Sequence, residues 1–281
     1  MLKDSSLLEA RAALIGAELL EALDEHSQIT PLSQRLADFS QDFAYVVAAE
    51  VKRLRQARGE RPVGRKISLV NRAAWADYPV DGPIWGYLYD TTVRSLANGN
   101  ATFDVVELSL RMEPRLATEI AFGISRTPEP EMDEIALLTC IDWVAHGFEI
   151  VQSLFPKWQF EVPDAIAAFA LHGASLMGPR RAIDHNRNVD WLKTLGSFEI
   201  ILECDGKIVS RGHSTELLGG PLSAFHRLVK ELAKNPTAAP LGVGEIVTTG
   251  TLTRAPPVAA GQKWWTALRG IPLEGNAVKF A

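Results

Sequence analysis

The chain has 281 residues, 47% hydrophobic and 22% charged, the profile of a globular protein with a sizeable core. Its 29 Lys+Arg against 34 Asp+Glu give a formal charge of -5, which argues against a dedicated nucleic-acid binder with a basic face. Two cysteines, Cys140 and Cys204, exclude a disulfide framework and fit a reducing cytoplasm.

Acidic residues Asp4, Glu9, Glu18 and Glu21 interrupt the first apolar stretch, so no signal peptide is expected. No apolar run approaches the roughly 20 residues needed to cross a bilayer. Two helices are expected first. One is capped by Asp4, Ser5 or Ser6, with Leu7, Leu8, Leu14, Ile15 and Leu19 at helical spacing. The next starts near Asp38 or Ser40, carries Phe43, Val46, Val47, Val51 and Leu54 on one face, and stops at Gly59. From Pro62 onward short strands are expected over 66–70, 103–110 and 116–124. A helix is predicted over 132–145, after the Pro128-Glu129-Pro130 break, and an alternating strand over 158–162. Residues 198–210 read as a hairpin turning at Asp205-Gly206, and Pro221 opens a helix ending near Ala233. Strands over 245–249, 264–268 and 277–280 finish the chain. With no regular βα alternation, the fold class is α+β with a largely β core. The expected division is a helical region over 1–61 and a catalytic domain over 62–281.

Nucleophile-elbow, phosphate-loop and paired-cysteine motifs are absent, and the six histidines are scattered. What remains are charged residues in apolar runs: Glu119 in Ala117–Phe122, Glu149 in Gly147–Val151, and Lys66 in Val63–Leu69. A carboxylate there either faces solvent or an arginine, or it is buried against a cation.

The fragments Val63-Gly64-Arg65-Lys66-Ile67, Asp81-Gly82-Pro83-Ile84-Trp85-Gly86, Pro114-Arg115-Leu116-Ala117-Thr118-Glu119 and Phe148-Glu149-Ile150-Val151 follow one another in a distinctive order. Asp164, Gly212–Pro221 and Gly244–Gly250 continue the series. Together they resemble the 2-keto-4-pentenoate hydratase group of the fumarylacetoacetate hydrolase superfamily, from about residue 62 to the end. The resemblance implies a twisted β-rich core with an N-terminal helical extension. It also implies a Mg2+ or Mn2+ ion on three carboxylates, chelating the 1-carboxylate and 2-oxo oxygens of a small 2-oxo acid. The activity implied is addition of water to a 2-hydroxy-2,4-dienoic acid in aromatic-compound catabolism.

The residues that correspond to the family's site are Glu119 and Glu149 as metal ligands, and Lys66 and Asp81 as catalytic groups. Thr249 and Gly250 correspond to a carboxylate-binding turn. Ala117 replaces the first ligand carboxylate, and Ala168-Phe169 replaces an Asp-Asn pair. His172 is then a candidate replacement ligand or acid–base group, with His146 a weaker one, and the alternative for His172 is a packed or surface histidine. Besides a hydratase, the sequence admits a decarboxylase or C–C hydrolase relative. It also admits a paralogue that lost its metal and binds an organic acid or serves as a partner subunit. A homo-oligomer is expected, with a related decarboxylase as a further candidate partner. Trp264-Trp265 would place one ring in the core and one toward a neighbour.

Overall fold

The computed structural model describes residues 2–71, 82–97 and 103–281. Two mixed sheets carry the fold. The larger is ordered β2 (Ile84–Tyr89), β1 (Pro62–Ser68), β11 (Ile246–Thr248), β5 (Arg115–Ile124), β6 (Ile141–Val151), β7 (His172–Met177) and β3 (Val93–Ser95), and β8 (Arg181–Ala182) also pairs with β6. The smaller is ordered β10 (Lys207–His213), β9 (Glu199–Cys204), β12 (Lys263–Arg269), β13 (Ala277–Phe280) and β4 (Asp104–Val106).

Alternation sorts each strand into two faces. On β5 and β6, Leu116, Phe148 and Ile150 meet Leu202, Trp264, Val278 and Phe280 of the smaller sheet in one buried cluster. Their neighbours Arg115, Ala117, Glu119, Glu149 and Val151 therefore point the other way, and these five line a cavity. Helices pack into two further buried clusters. Helices α1 (Leu2–Asp24), α3 (Gln41–Ala57) and α5 (Val162–Ala167) share a core with the short α2 (Leu32–Arg35). Helices α6 (Asn188–Leu195) and α7 (Pro221–Lys234) pack on the other cluster, beside the five-residue α4 (Glu134–Leu138). None of the described helices is long and apolar enough to cross a membrane.

Ser40 caps α3 by accepting from the Phe43 N–H at 3.2 Å, and Gly59 follows its end at φ 96°. The hairpin turns at Asp205 and Gly206, both with positive φ, as the sequence predicts. Trp264 is buried and Trp265 partly so.

Several expectations fail: α1 begins at Leu2, ahead of Asp4, Ser5 and Ser6, and the strand over 103–110 is reduced to β4. The helix over 132–145 shrinks to α4, and the chain then enters β6, whose apolar residues are buried on both faces and so carry no period of two. The strand over 158–162 is absent: Trp158 has φ 58°, and α5 begins at Val162. Asp164 fixes that start by accepting from the Glu161 N–H at 2.8 Å and from the Ser33 N–H and hydroxyl at 2.9 and 2.6 Å. On α1, Ile15 and Leu19 are buried as expected, but Leu7 and Leu14 stand in solvent.

Gly64 lies where β1 pairs with β11, and a Cβ there would sit 2.0 Å from the Ile246 carbonyl oxygen. Backbone cannot yield as a side chain does, so Gly64→Ala is expected to cost at least about 2 kcal/mol. Chemical denaturation reads this directly.

Candidate functional site

Lys66, Glu119 and Glu149 converge at the floor of a cavity of about 410 Å³. In the sheet order, β1 and β6 are separated by β11 and β5, about 14 Å across a flat sheet. The Lys66 ammonium nevertheless donates to Glu149 Oε1 at 2.5 Å, so the sheet curls and the lysine stem crosses its concave side. Both side chains are about 1–2% exposed. The open question about these residues in apolar runs is settled for Lys66 and Glu149: each is buried and paired with the other.

The same oxygen of Glu149 receives His172 Nδ1 at 2.6 Å, while His172 Nε2 lies 2.9 Å from the Thr92 hydroxyl. Burial, then the cations Lys66, Arg55 and Arg111, hold His172 well below the usual imidazole range. The neutral ring thus donates its Nδ1–H to Glu149 and accepts at Nε2 from Thr92. Glu119, two residues along β5 from Ala117, is 4% exposed, and its Oε2 has no hydrogen-bond partner among the described residues. Burial first, and the neighbouring Glu149 second, push its carboxyl well above the usual range. Two carboxyls, one cation and an unsatisfied oxygen make a set that an oxygen-seeking divalent ion would complete. Mg2+ is commonly held by one or two carboxylates with water or substrate filling the rest. The residues present fit such an ion. Ala117, directly opposite Glu149 in the β5–β6 register, leaves the site one carboxylate short of three. Among the described residues no group of three His, Cys, Asp or Glu side chains is gathered for a metal.

The walls correct several expectations. His172 is buried behind Glu149 with both ring nitrogens engaged, outside the residues that line the cavity. His146, three residues before Glu149 on the same strand, necessarily faces the other side. It bridges the sheets, with Nδ1 at 3.0 Å from the Glu119 carbonyl and Nε2 at 2.8 Å from the Thr266 hydroxyl. Thr249 spends both its N–H and its hydroxyl on the Ile120 carbonyl, each at 3.0 Å, and is fully buried. Its neighbour Gly250 does line the cavity, at φ 90°, where a Cβ would fall 2.2 Å from Val70 Cγ2. Asp81 lies outside the described residues.

Sequence reasoning missed most of the wall. Arg115 and Arg254 line it, and the Arg115 guanidinium stacks 4.2 Å over the Trp158 ring. Arg115 was legible in principle, because Arg115, Ala117 and Glu119 alternate onto one strand face. Leu69, Trp158, Ala170 and Leu171 line the cavity with left-handed backbone, at φ 58, 58, 50 and 64°. Such strain in non-glycine residues gathers at functional sites, and nothing in side-chain type announces it.

Burial holds His146 down to about 4, so the folded state keeps it neutral while the unfolded chain protonates near 6.5. Below pH 6.5 the unfolded state binds more protons, and stability falls as pH drops toward 4, by roughly 3 kcal/mol for this residue. Urea unfolding at pH 7 and pH 4.5 should show a smaller loss in His146→Gln than in the parent; equal losses would contradict the assignment.

No family model matches the chain. The chain is 31% identical over 264 residues to 2-keto-4-pentenoate hydratase 2 of Dechloromonas aromatica (strain RCB), covering 94% of each. It is 29% identical over 251 residues to 4-oxalocrotonate decarboxylase of Pseudomonas sp. (strain CF600), covering 89% of each. Among solved structures, 4-oxalocrotonate decarboxylase from Pseudomonas putida G7, complexed with magnesium and adipate, superposes with a TM-score of 0.86 at 24% identity, over 97% of this chain and 98% of that one. The shared fold, the near full-length coverage and the position of Lys66, Glu119 and Glu149 at one cavity floor lead to one assignment. The chain belongs to the 2-keto-4-pentenoate hydratase family, on a fold shared with fumarylacetoacetate hydrolase-type proteins.

Proposed function

We propose that the protein is a hydratase-type lyase that adds water to a 2-hydroxy-2,4-dienoic acid through its 2-oxo tautomer. The observation that carries this is the buried Lys66–Glu149 pair beside Glu119, whose Oε2 has no partner among the described residues. Glu119 and Glu149 would hold a divalent cation, which supplies Lewis-acid stabilisation of an enolate. Magnesium in the decarboxylase relative and manganese in a fumarylpyruvate hydrolase of like fold support a cation of that class.

The chain's own groups divide the remaining work. Lys66 makes one hydrogen bond to Glu149, which leaves ammonium protons for the substrate's 1-carboxylate or 2-oxo oxygen. Its positive charge opposes the two carboxyls, so the floor accepts an anionic acid. Glu119, whose carboxyl burial pushes up, would be held as the carboxylate by such an ion, since ligating carboxyls must be ionised. His172 and Thr92 fix the Glu149 rotamer from behind. The Ser68 hydroxyl and the apolar Val151, Leu171 and Trp158 surround the substrate chain and limit stray water.

The test follows loss of dienoate absorbance for 2-hydroxy-2,4-dienoates with and without a second carboxylate. Turnover that requires Mg2+ or Mn2+, stops with EDTA and yields the 4-hydroxy-2-oxo acid is expected. No turnover of any of them, or turnover indifferent to EDTA, would overturn the reading.

A further inference from the structure

Each carboxyl at the cavity floor needs support of its own. Glu149 has it, since the Lys66 ammonium and the His172 Nδ1–H both donate to its Oε1. Glu119 has no matching bond, and its Oε2 is buried without a partner among the described residues. Thr248 shares that condition: it is 2% exposed, and its hydroxyl has no hydrogen-bond partner among the described residues. A buried hydroxyl left unpaired costs about 1–3 kcal/mol, so its presence calls for a reason.

The strand register brings the two orphaned groups together. Thr248 of β11 pairs with Lys66 of β1 on one side and with Ala121 of β5 on the other. Paired residues share a face, and Ala121 is two residues from Glu119 along β5. Lys66, Thr248 and Glu119 therefore rise from the same concave face, with Thr248 diagonal to Glu119. The hydroxyl is near enough to act on the carboxyl. Burial and then Glu149 raise Glu119, whereas Lys66 and the Thr248 hydroxyl act to lower it. Even so, the Thr248 hydroxyl is not aligned as a hydrogen bond to any described residue.

An ionised carboxylate only accepts, with room for about four partners on its two oxygens. When Glu119 is a ligand, the lone pairs that the cation leaves need a donor. Glu149 offers none as a carboxylate, and Lys66 is already bonded to Glu149. The Thr248 O–H can rotate to supply one. Hydrogen bonds of this kind orient ligating carboxylates and tune the affinity of the site.

We propose that Thr248 is a positioning residue of the cation site, whose hydroxyl donates to Glu119 when that carboxylate serves as a ligand. It fixes the Glu119 rotamer as His172 fixes that of Glu149. The inference rests on the cation-dependent reading of the floor and adds the residue that readies Glu119. Ala117 gives the site no third carboxylate, so the orientation of the two that remain weighs more.

The experiment compares the parent, Thr248→Val and Thr248→Ser by calorimetric titration with Mn2+ and by thermal melting in EDTA. Valine keeps the branched shape of threonine and its strand preference while removing the hydroxyl. Thr248→Val is expected to lose about tenfold or more in Mn2+ affinity. Its melting temperature in EDTA should equal or exceed the parent's, because replacing an unpaired buried hydroxyl by an apolar group removes a penalty. Thr248→Ser should recover most of the affinity. A residue that serves packing alone would do the reverse, with melting lowered and Mn2+ affinity unchanged. Unchanged affinity in Thr248→Val, a lower melting temperature in EDTA, or a loss of affinity that serine does not restore overturns the proposal and leaves the Glu119/Glu149 assignment standing. A parent that binds no Mn2+ overturns both.

Discussion

Glu149→Ala is expected to abolish cation-dependent turnover and to destabilise the fold by about 3–5 kcal/mol, the range for removing one partner of a buried ion pair. Glu149 Oε1 is the shared acceptor of the Lys66 ammonium and the His172 Nδ1–H, and all three side chains are almost fully buried. Among the described residues, the ammonium would then be left beside Glu119 alone, and the His172 N–H would lose its acceptor. Lys66→Met should cost less. It leaves Glu119 and Glu149 side by side, but two adjacent carboxyls can share a proton, which an orphaned ammonium cannot do. Denaturant unfolding of both variants measures the difference. A Glu149→Ala loss below about 1 kcal/mol would mean that the pair is not held as described.

Ala117→Glu should act in opposite directions with and without metal. The new carboxyl would stand opposite Glu149 and two residues from Glu119 on the same face. Without a cation, a third carboxyl crowded into a buried site destabilises the chain. With Mg2+ it supplies a further oxygen ligand, and affinity should rise at least about tenfold, as ligand charge count governs such sites. Binding to the folded state alone then raises the melting temperature through linkage. The signature is a lower melting temperature in EDTA and a larger Mg2+-induced rise than in the parent. A variant equally destabilised in both conditions would favour a paralogue whose site has drifted beyond repair by one residue.

The fold was legible where local rules act alone. The Asp205-Gly206 hairpin, the Pro221 helix start and the Ser40 cap follow from residue type and position, and all are present. Residues 141–151 were not legible as a strand, because burial on both faces erases alternation and leaves an apolar run that also suits a helix. The 158–162 strand failed for a readable reason. Glu161, Asp164 and the intervening Pro163 are a helix start, and the apparent alternation of Trp158, Phe160 and Val162 runs into it.

At the site, charge inside apolar runs singled out Lys66, Glu119 and Glu149 and the resemblance gave them roles, while strand spacing alone would have sent His146 to the opposite face. Thr249 turns its hydroxyl to the Ile120 carbonyl, a contact 129 residues away in sequence that its residue type does not announce. His172 was visible as an unusual residue, but its place behind Glu149 depends on the left-handed turn through Phe169, Ala170 and Leu171, which no local preference specifies. Arg254 reaches the cavity only through the pairing of 256–258 with 114–116, a contact more than a hundred residues apart in sequence.

The central claim is that Glu119 and Glu149 together hold the cation on which the substrate chelates. Crystals grown with Mn2+ and a 2-oxo acid, measured for anomalous scattering, test it directly. The expected result is one strong peak bonded to carboxylate oxygens of both Glu119 and Glu149, with the 2-oxo acid completing its coordination, and its loss in Glu119→Gln. An empty floor with bound 2-oxo acid, or a peak that persists unchanged in Glu119→Gln, would contradict it.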